Sequence, residues 1–225
     1  KREGEGSDIR LSLGQIRSIQ INVMGDVQNP GTYNLSSFST VFHALYSAGG
    51  IKDPGTLRNI VVNRNGKKIA TVDVYDFLMN GNRSGDIRLE EGDVILVPSY
   101  KTLVKVAGKV KRPMFFELKE GETLAALIEY AGGFAQGAYT SNITVVRQTG
   151  KEFEVCTVNE MDYKTFQMKN ADEVEIGELV SRFKNKISIK GAVYRSGIYQ
   201  LDGNTNTIKA LINKAEGLMP DAFTN

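Results

Sequence analysis

Catalysis needs a base, a nucleophile and stabilising donors within reach of one another, and this chain offers one histidine and one cysteine with which to start. His43 falls one residue off the apolar stripe of an amphipathic segment, so it reads as a solvent-facing helix residue and not as a general base. Cys156 lies in the strand pattern "FEVCTV", where a small half-buried side chain is the ordinary reading and a reactive thiol the exceptional one. A lone cysteine also excludes an intrachain disulfide and a cysteine-rich zinc site. Carboxylates gather in "EEGD" (residues 90–93) and "KEGE" (residues 119–122), and as turn sequences these read as solvated loop polarity, not as a paired acid and base. No loop alternates Asp or Asn at the spacing that calcium requires. Gly49-Gly50 and Gly132-Gly133 follow apolar helical stripes, whereas a phosphate-cradling loop places its glycines ahead of a helix. The chemistry points away from an enzyme, and neither metal nor cofactor is expected.

Binding surfaces are the remaining possibility. Lys105, Lys109 and Lys111 alternate with valines and Arg112 follows them, giving one basic ribbon. The corresponding stretches elsewhere carry Asn22, Met24, Asp26 and Gln28, or Ser188, Lys190, Ala192 and Tyr194. Such a ribbon is either a ligand or partner surface, together with the Asn29-Pro30-Gly31 turn, or a solvated face that blunts a sheet edge. Across all 225 residues, 28 Lys and Arg face 26 Asp and Glu, a net charge of +2, so nucleic acid is not an expected partner. With 41% hydrophobic and 24% charged residues the chain is of globular type and long enough for two to three small domains. No apolar run reaches the ~20 residues of a membrane-spanning helix. The chain starts at Lys1 without a methionine, which reads as a piece of a longer protein.

The elements that would position these residues come from one frame used three times. "INVMGDVQNPGTYNL", "VKVAGKVKRPMFFEL" and "ISIKGAVYRSGIYQL" place Val23, Val106 and Ile189 at a constant separation of 83 (106 − 23 and 189 − 106). The same shift relates Gly25, Gly108 and Gly191, then Val27, Val110 and Val193, then Tyr33, Phe116 and Tyr199. Each frame reads as a strand with alternate burial, a turn and a second strand. The glycine marks a bulge or a close backbone approach, and Pro30-Gly31 suits the centre of a type II turn.

A helical stripe follows each frame: Val41, Ala44, Leu45 and Ala48; Leu124, Leu127, Ile128 and Ala131; Ile208, Leu211, Ile212 and Ala215. Gly50, Gly133 and Gly217 stand where a left-handed cap ends each helix. "NIVVNRNGKKIATVDV" then reads as a hairpin turning at Asn65-Gly66, with "NITVVRQTGKEFEVCTV" as its counterpart, and a short polar segment leads to a last strand, "DVILVP" or "DEVEIG". One helix across a mixed sheet of that order is a β-grasp, an α+β fold. Residues 18–100 form a first module, 101–183 a second and 184–225 a third, truncated one. Residues 1–17 form a leader whose "DIRLSLGQI" echoes "DIRLEEGDVI" and reads as the tail of a preceding module.

"VMGDVQNPGTYNL" followed by a helix, "AGG", "NIVVNRNG" and "LEEGDVILVP" resembles the soluble-ligand-binding β-grasp domain, SLBB. From about residue 18 onward the chain resembles the SLBB portion of bacterial capsule and exopolysaccharide export proteins of the Bacteroides type. It departs from the pattern at Met114 and Glu216. The resemblance implies a non-catalytic role in assembling or gating an outer-membrane export channel, in the periplasm. It also implies homo-oligomers formed through SLBB modules, with polysaccharide and inner-membrane export machinery as partners. Related repeats in vitamin B12 carriers imply a different role, binding of a small vitamin or saccharide. A purely structural spacer is the third possibility.

Overall fold

Ser18–Gly25 (β1) buries Ile19, Ile21 and Val23 and turns the residues between them outward, the period of a strand with one covered face. The structure is a computed structural model that describes residues 17–223, so the leader motif at residues 8–16 lies outside the described residues. Gly31–Ser36 (β2) returns antiparallel to β1, and Val41–Ser47 (α1) follows. Ile60–Arg64 (β3) and Lys67–Val72 (β4) form the second hairpin, Val74–Asn80 is a further helix (α2), and Val94–Val97 (β5) completes the sheet. Strand order is β2-β1-β5-β3-β4, with β1 and β5 parallel at the centre and the other neighbours antiparallel. Val41, Ala44, Leu45 and Ala48 of the helical stripe are buried in one cluster with the inward strand residues, so α1 covers a single face of the mixed sheet.

The arrangement then repeats. Leu103–Gly108 (β6), Phe115–Glu117 (β7), Leu124–Tyr130 (α3), Asn142–Gln148 (β8), Phe153–Asn159 (β9) and Glu173–Ile176 (β10) build a second five-stranded sheet, ordered β7-β6-β10-β8-β9 under its own helix. This is the tandem β-grasp architecture expected from the sequence. The described chain divides between Glu178 and Leu179 into two compact units, and both five-stranded sheets belong to the first. In the second unit Lys186–Ile189 (β11) and Gly197–Gln200 (β12) form a two-stranded sheet beside Ile208–Lys214 (α4). Leu211 and Ala215 of the third stripe are buried, but Ile208 is 80% exposed, because two strands give its end of the helix no sheet to cover.

The repeated glycines divide by what stands next to them. Gly25 and Gly108 take φ of +90° and +81°, and a Cβ on either would sit 2.1 Å from the carbonyl oxygen of Val97 or Ile176 at the end of β5 or β10. Those carbonyls accept the amides of Asp26 and Lys109 at 2.8 Å, so the glycine lets the first and last strands of each module close together. Gly191 also has positive φ, but nothing lies near its Cβ position.

The loop after each frame is held to the helix end in the same way three times. Gln28, Lys111 and Tyr194 donate to the carbonyls of Gly50, Gly133 and Gly217, and Asn29, Arg112 and Arg195 donate to those of Ala48, Ala131 and Ala215. All three glycines have positive φ, and Glu216 adopts φ of +65° where the other copies have glycine.

Several local expectations need correction. Gly31 does not have the positive φ that a type II turn requires; it is the first residue of β2 and pairs with Val23. The chain instead makes a wider loop that sends Val27 into the core, where it bridges to Ile51. The polar segment before the last strand holds α2 in the first module. Asp73 caps that helix through the amides of Tyr75 and Asp76, and Gly81 ends it in the left-handed conformation. Tyr75, its buried residue, packs into the core of the second module. Asn65 and Gly66 do take the paired positive φ, 51° and 73°, of the tight turn read from sequence.

Candidate functional site

Arg58 lies just ahead of β3 and is 5% exposed. A buried guanidinium must be paired and fully hydrogen-bonded to be tolerated, and its partners come from both modules. From its own module, Nη2 lies 3.2 Å from Asp73 Oδ2, beside the cap of α2. From the second, Nη1 donates to Glu122 Oε2 at 2.6 Å and to the Glu117 carbonyl at 3.4 Å. Its plane lies over the rings of Tyr75 and Tyr130, 4.8 and 4.9 Å from their centroids, and the two rings meet edge to face at 5.5 Å. Lys119 reaches back to Asp73 Oδ2 at 2.6 Å, and Tyr130 donates to Glu122 Oε1 at 2.7 Å.

A second set of bonds crosses the same junction. The buried Glu117 carboxylate accepts from the Thr56 hydroxyl and, at 2.7 Å, from the Leu57 amide, while the Glu117 amide donates to Tyr75 Oη at 3.0 Å. Leu57 and Tyr75 of the first module pack into the hydrophobic cluster of the second. Among the described residues no buried side-chain polar atom lacks a partner.

The electrostatics follow from that geometry. Burial opposes the Arg58 charge, but hydrogen bonds to Asp73 and Glu122 outweigh it and hold the guanidinium above its ordinary pKa. Burial would raise the Asp73 carboxyl, yet hydrogen bonds from Lys119 and Arg58 keep it below the usual aspartate value. Tyr130 is pushed up to about 12, first by burial and then by its bond to Glu122. Every charge here is matched by a fixed neighbour, an arrangement suited to holding two modules in one geometry and not to moving protons. Two clefts border the junction. One, of about 480 Å³, is lined by Ile51, Leu57, Tyr75, Tyr100 and Phe115. The other, of about 500 Å³, includes Lys68, Thr71, Lys101 and Glu120.

The carboxylates read as solvated loops therefore need correction. Glu122 of "KEGE" holds Arg58, and Asp93 of "EEGD" is fully buried, with its two oxygens 2.8 and 2.9 Å from Arg64 nitrogens. The second module repeats the pair as Arg147 and Asp172, at 2.9 and 2.7 Å. His43 is exposed and has a structural task, accepting the amide of Thr40 at the start of α1 through Nδ1 at 3.2 Å. Cys156 is half-buried in β9.

The candidate surface residues are dispersed. β6 ends at Gly108, so only Lys105 stands on the strand, and it lies 3.4 Å from Glu173; Lys109 in the loop beyond pairs with Glu178 at 2.9 Å. The continuous basic ribbon is thus interrupted and partly neutralised. Lys111 is exposed, and Arg112 reaches Met79 of α2 across the junction, Nη2 to Sδ 4.0 Å. Asn29 and Pro30 are exposed in the loop against the end of α1, and Gly31 is exposed at the start of β2; Tyr33 donates to the Asn29 carbonyl at 2.6 Å. Tyr199 makes the same bond to Arg195, and Phe116 in the second copy has no hydroxyl with which to make it.

The junction residues were not singled out from the sequence, although a trace of them is there. Shifted by 83 positions, Arg58 becomes Ser141, while Glu117, Lys119, Glu122 and Tyr130 become Asn34, Ser36, Ser39 and Ser47. Charged or aromatic residues in one copy face small polar ones in the other, as expected where two copies must differ in order to meet.

Comparison with known proteins agrees with this architecture. The SLBB domain matches twice, over residues 20–97 and over residues 103–156. Two Escherichia coli sequences bearing the name polysialic acid transport protein KpsD are each 30% identical over 145 residues, 64% of this chain. The chain spans about a quarter of the length of these curated relatives, 25% in each case. With two modules of one fold, each matched in its own right, the chain belongs to the SLBB-domain family.

Proposed function

We propose that this chain is a non-catalytic component of a polysaccharide export system, in which SLBB modules act as rigid parts for assembling or gating an outer-membrane channel from its periplasmic side. The observation that carries the reading is the Arg58 cluster, which locks two β-grasp modules through buried ion pairs and a shared apolar core. It is supported by the 30% identity to KpsD, a protein whose name describes polysialic acid transport. Homo-oligomers and contacts with inner-membrane export machinery belong to the same proposal. Among the described residues no helix is long and apolar enough to cross a membrane.

The test is genetic. Deleting the two modules from the parent protein in its own cell should abolish surface polysaccharide while polymer accumulates inside, and Arg58→Ala should reduce surface polymer in the same direction. Unchanged surface polymer after the deletion would overturn the reading. The cleft of about 480 Å³ with three aromatic residues favours a second reading, binding of a small vitamin or saccharide. Titration with cobalamin and with monosaccharides, followed by chemical shifts of Tyr75 and Tyr100, separates the two.

A further inference from the structure

Charge is unevenly divided along this chain. Leu179–Asn225, the second compact unit, holds seven of the 28 Lys and Arg but three of the 26 Asp and Glu, so it is basic while the rest of the chain carries a small acidic excess. Two of its three carboxylates are engaged where they stand. Asp202 accepts from the Asn204 amide at 2.9 Å and the Thr205 hydroxyl at 2.7 Å and lies 3.5 Å from Lys214 Nζ, and Glu216 pairs with Arg195 at 2.5 Å. The third, Asp221, follows α4 in the segment whose Met219 amide donates to the Ala192 carbonyl. Among the described residues, Arg182, Lys184, Lys186 and Lys190 take part in no ion pair, and all four are exposed.

The β11–β12 hairpin sets two of these cations on one face. Ile187 and Ile189 of β11 are half-buried, while Lys186, Ser188 and, just past the strand, Lys190 are exposed, the alternation of a strand with one outward side. Paired residues of an antiparallel ladder share a face, which adds Gln200 opposite Lys186 and Ile198 opposite Ser188. Arg182 and Lys184 lie in the segment leading into β11, and Lys186 Nζ stands 4.4 Å from the ring centroid of the exposed Phe183. No Asp or Glu occurs between Leu179 and Leu201. The same face carries Gln20, Asn22 and Met24 in the first copy of the frame, and Leu103, Lys105 and Ala107 in the second, where Lys105 lies 3.4 Å from Glu173. An unpaired basic face is thus particular to the third copy.

We propose that the outer face of the β11–β12 hairpin, with Lys186 and Lys190 as its charged groups, binds an acidic polysaccharide. The two lysines are ~13 Å apart along an extended chain, with the Ser188 hydroxyl between them and the Gln200 amide beside them. That line suits a linear polyanion with hydroxyl groups between its charges. Each lysine meets an anionic group as a point charge, the hydroxyl and amide exchange hydrogen bonds with the sugar, and Ile198 and Phe183 offer apolar surface to its C–H groups. A bilayer would need an apolar stripe to enter the lipid, and on this face hydrogen-bonding side chains stand where the stripe would be. Binding through exposed charges is reversible and salt-sensitive, as suits a surface over which a polymer moves. The inference rests on the export reading, which supplies the polymer, and adds the polymer's charge and the surface that meets it.

Titration of the 225-residue chain with polygalacturonate, an acidic glycan, tests the proposal, with dextran as the neutral control. Polygalacturonate should bind and dextran should not, and high salt should weaken the binding as the charges are screened. Lys186→Gln with Lys190→Gln should weaken it by about tenfold or more at an unchanged melting temperature, since both side chains are exposed. Lys186→Arg with Lys190→Arg should retain it. Lys67→Gln with Lys68→Gln, which removes two exposed lysines of β4 that also lack an ion pair among the described residues, should leave binding as it is. A wild type that fails to bind polygalacturonate at ~1 mM overturns the proposal, and so does a β4 pair that loses as much as the β11 pair. It is also overturned if Lys186→Gln with Lys190→Gln lowers binding of duplex DNA or of phosphatidylglycerol vesicles but not of polygalacturonate, which would assign the face to another polyanion. In the parent protein in its own cell, the same pair leaving surface polymer at the wild-type level would remove this polymer contact and leave the export reading standing. Unchanged surface polymer after deletion of the two modules would instead remove the export reading, whatever the chain binds in solution.

Discussion

Arg58 Nη1 lies 2.6 Å from Glu122 Oε2, although 64 positions and a module boundary separate the two residues. With Arg58 only 5% exposed, removing it takes the ion-pair partner from Glu122 and leaves Asp73 with Lys119 alone. Breaking one side of a buried ion pair costs ~3–5 kcal/mol, so urea unfolding of Arg58→Ala should show a loss in that range. Arg58→Lys should recover little of it, because an ammonium cannot fork between two carboxylates while stacking on two rings. A loss no larger than the ~0.5 kcal/mol of an ordinary surface substitution would show that the modules do not depend on this pair.

Tyr75 separates packing from hydrogen bonding at the same junction. Its hydroxyl oxygen accepts the Glu117 amide at 3.0 Å, while its ring sits in the core of the second module. Tyr75→Phe keeps the ring and leaves a buried donor unmet, an expected cost of ~1–3 kcal/mol. Tyr75→Ala opens a cavity as well and should cost ~3–5 kcal/mol. Equal losses for the two variants in the same denaturation experiment would show that the ring contributes nothing.

The three frame glycines should respond unequally to a methyl group. Gly191→Ala meets only the left-handed backbone strain of an L-residue, ~1–2 kcal/mol, since no atom lies near its Cβ position. Gly25→Ala and Gly108→Ala must also displace a carbonyl 2.1 Å away, which places them at ~4 kcal/mol or beyond, the exceptional range for one substitution. Melting curves of the three variants rank them, and a tie would contradict the close strand approach.

Acid should loosen the junction. Asp73 has a lowered pKa when folded, the balance of burial against bonds from Lys119 and Arg58, so the unfolded chain binds its proton more readily. The stability it contributes is complete above the unfolded value of ~3.9 and is lost as pH falls through the folded value below it. Asp73→Asn should flatten stability against pH below ~4. An unaltered acid limb in that variant would assign the acid sensitivity elsewhere.

Much of this protein is written in short-range pattern. The 83-residue spacing, the alternate burial of Ile21 and Val23, the stripes beginning at Val41 and Leu124 and the turn at Asn65-Gly66 each need only a few neighbouring residues to be legible, because strand and helix periods are local properties of the backbone. Those patterns suffice for two β-grasp modules and for glycines at the helix ends. They do not say where a module meets its neighbour. Asp73 and Glu122 look like ordinary turn and cap residues until folding brings Arg58 between them. Local sequence built the modules, whereas burial and partner choice for charged groups were decided by the tertiary structure, since a charge takes its energy from whatever surrounds it in space and not from its neighbours along the chain.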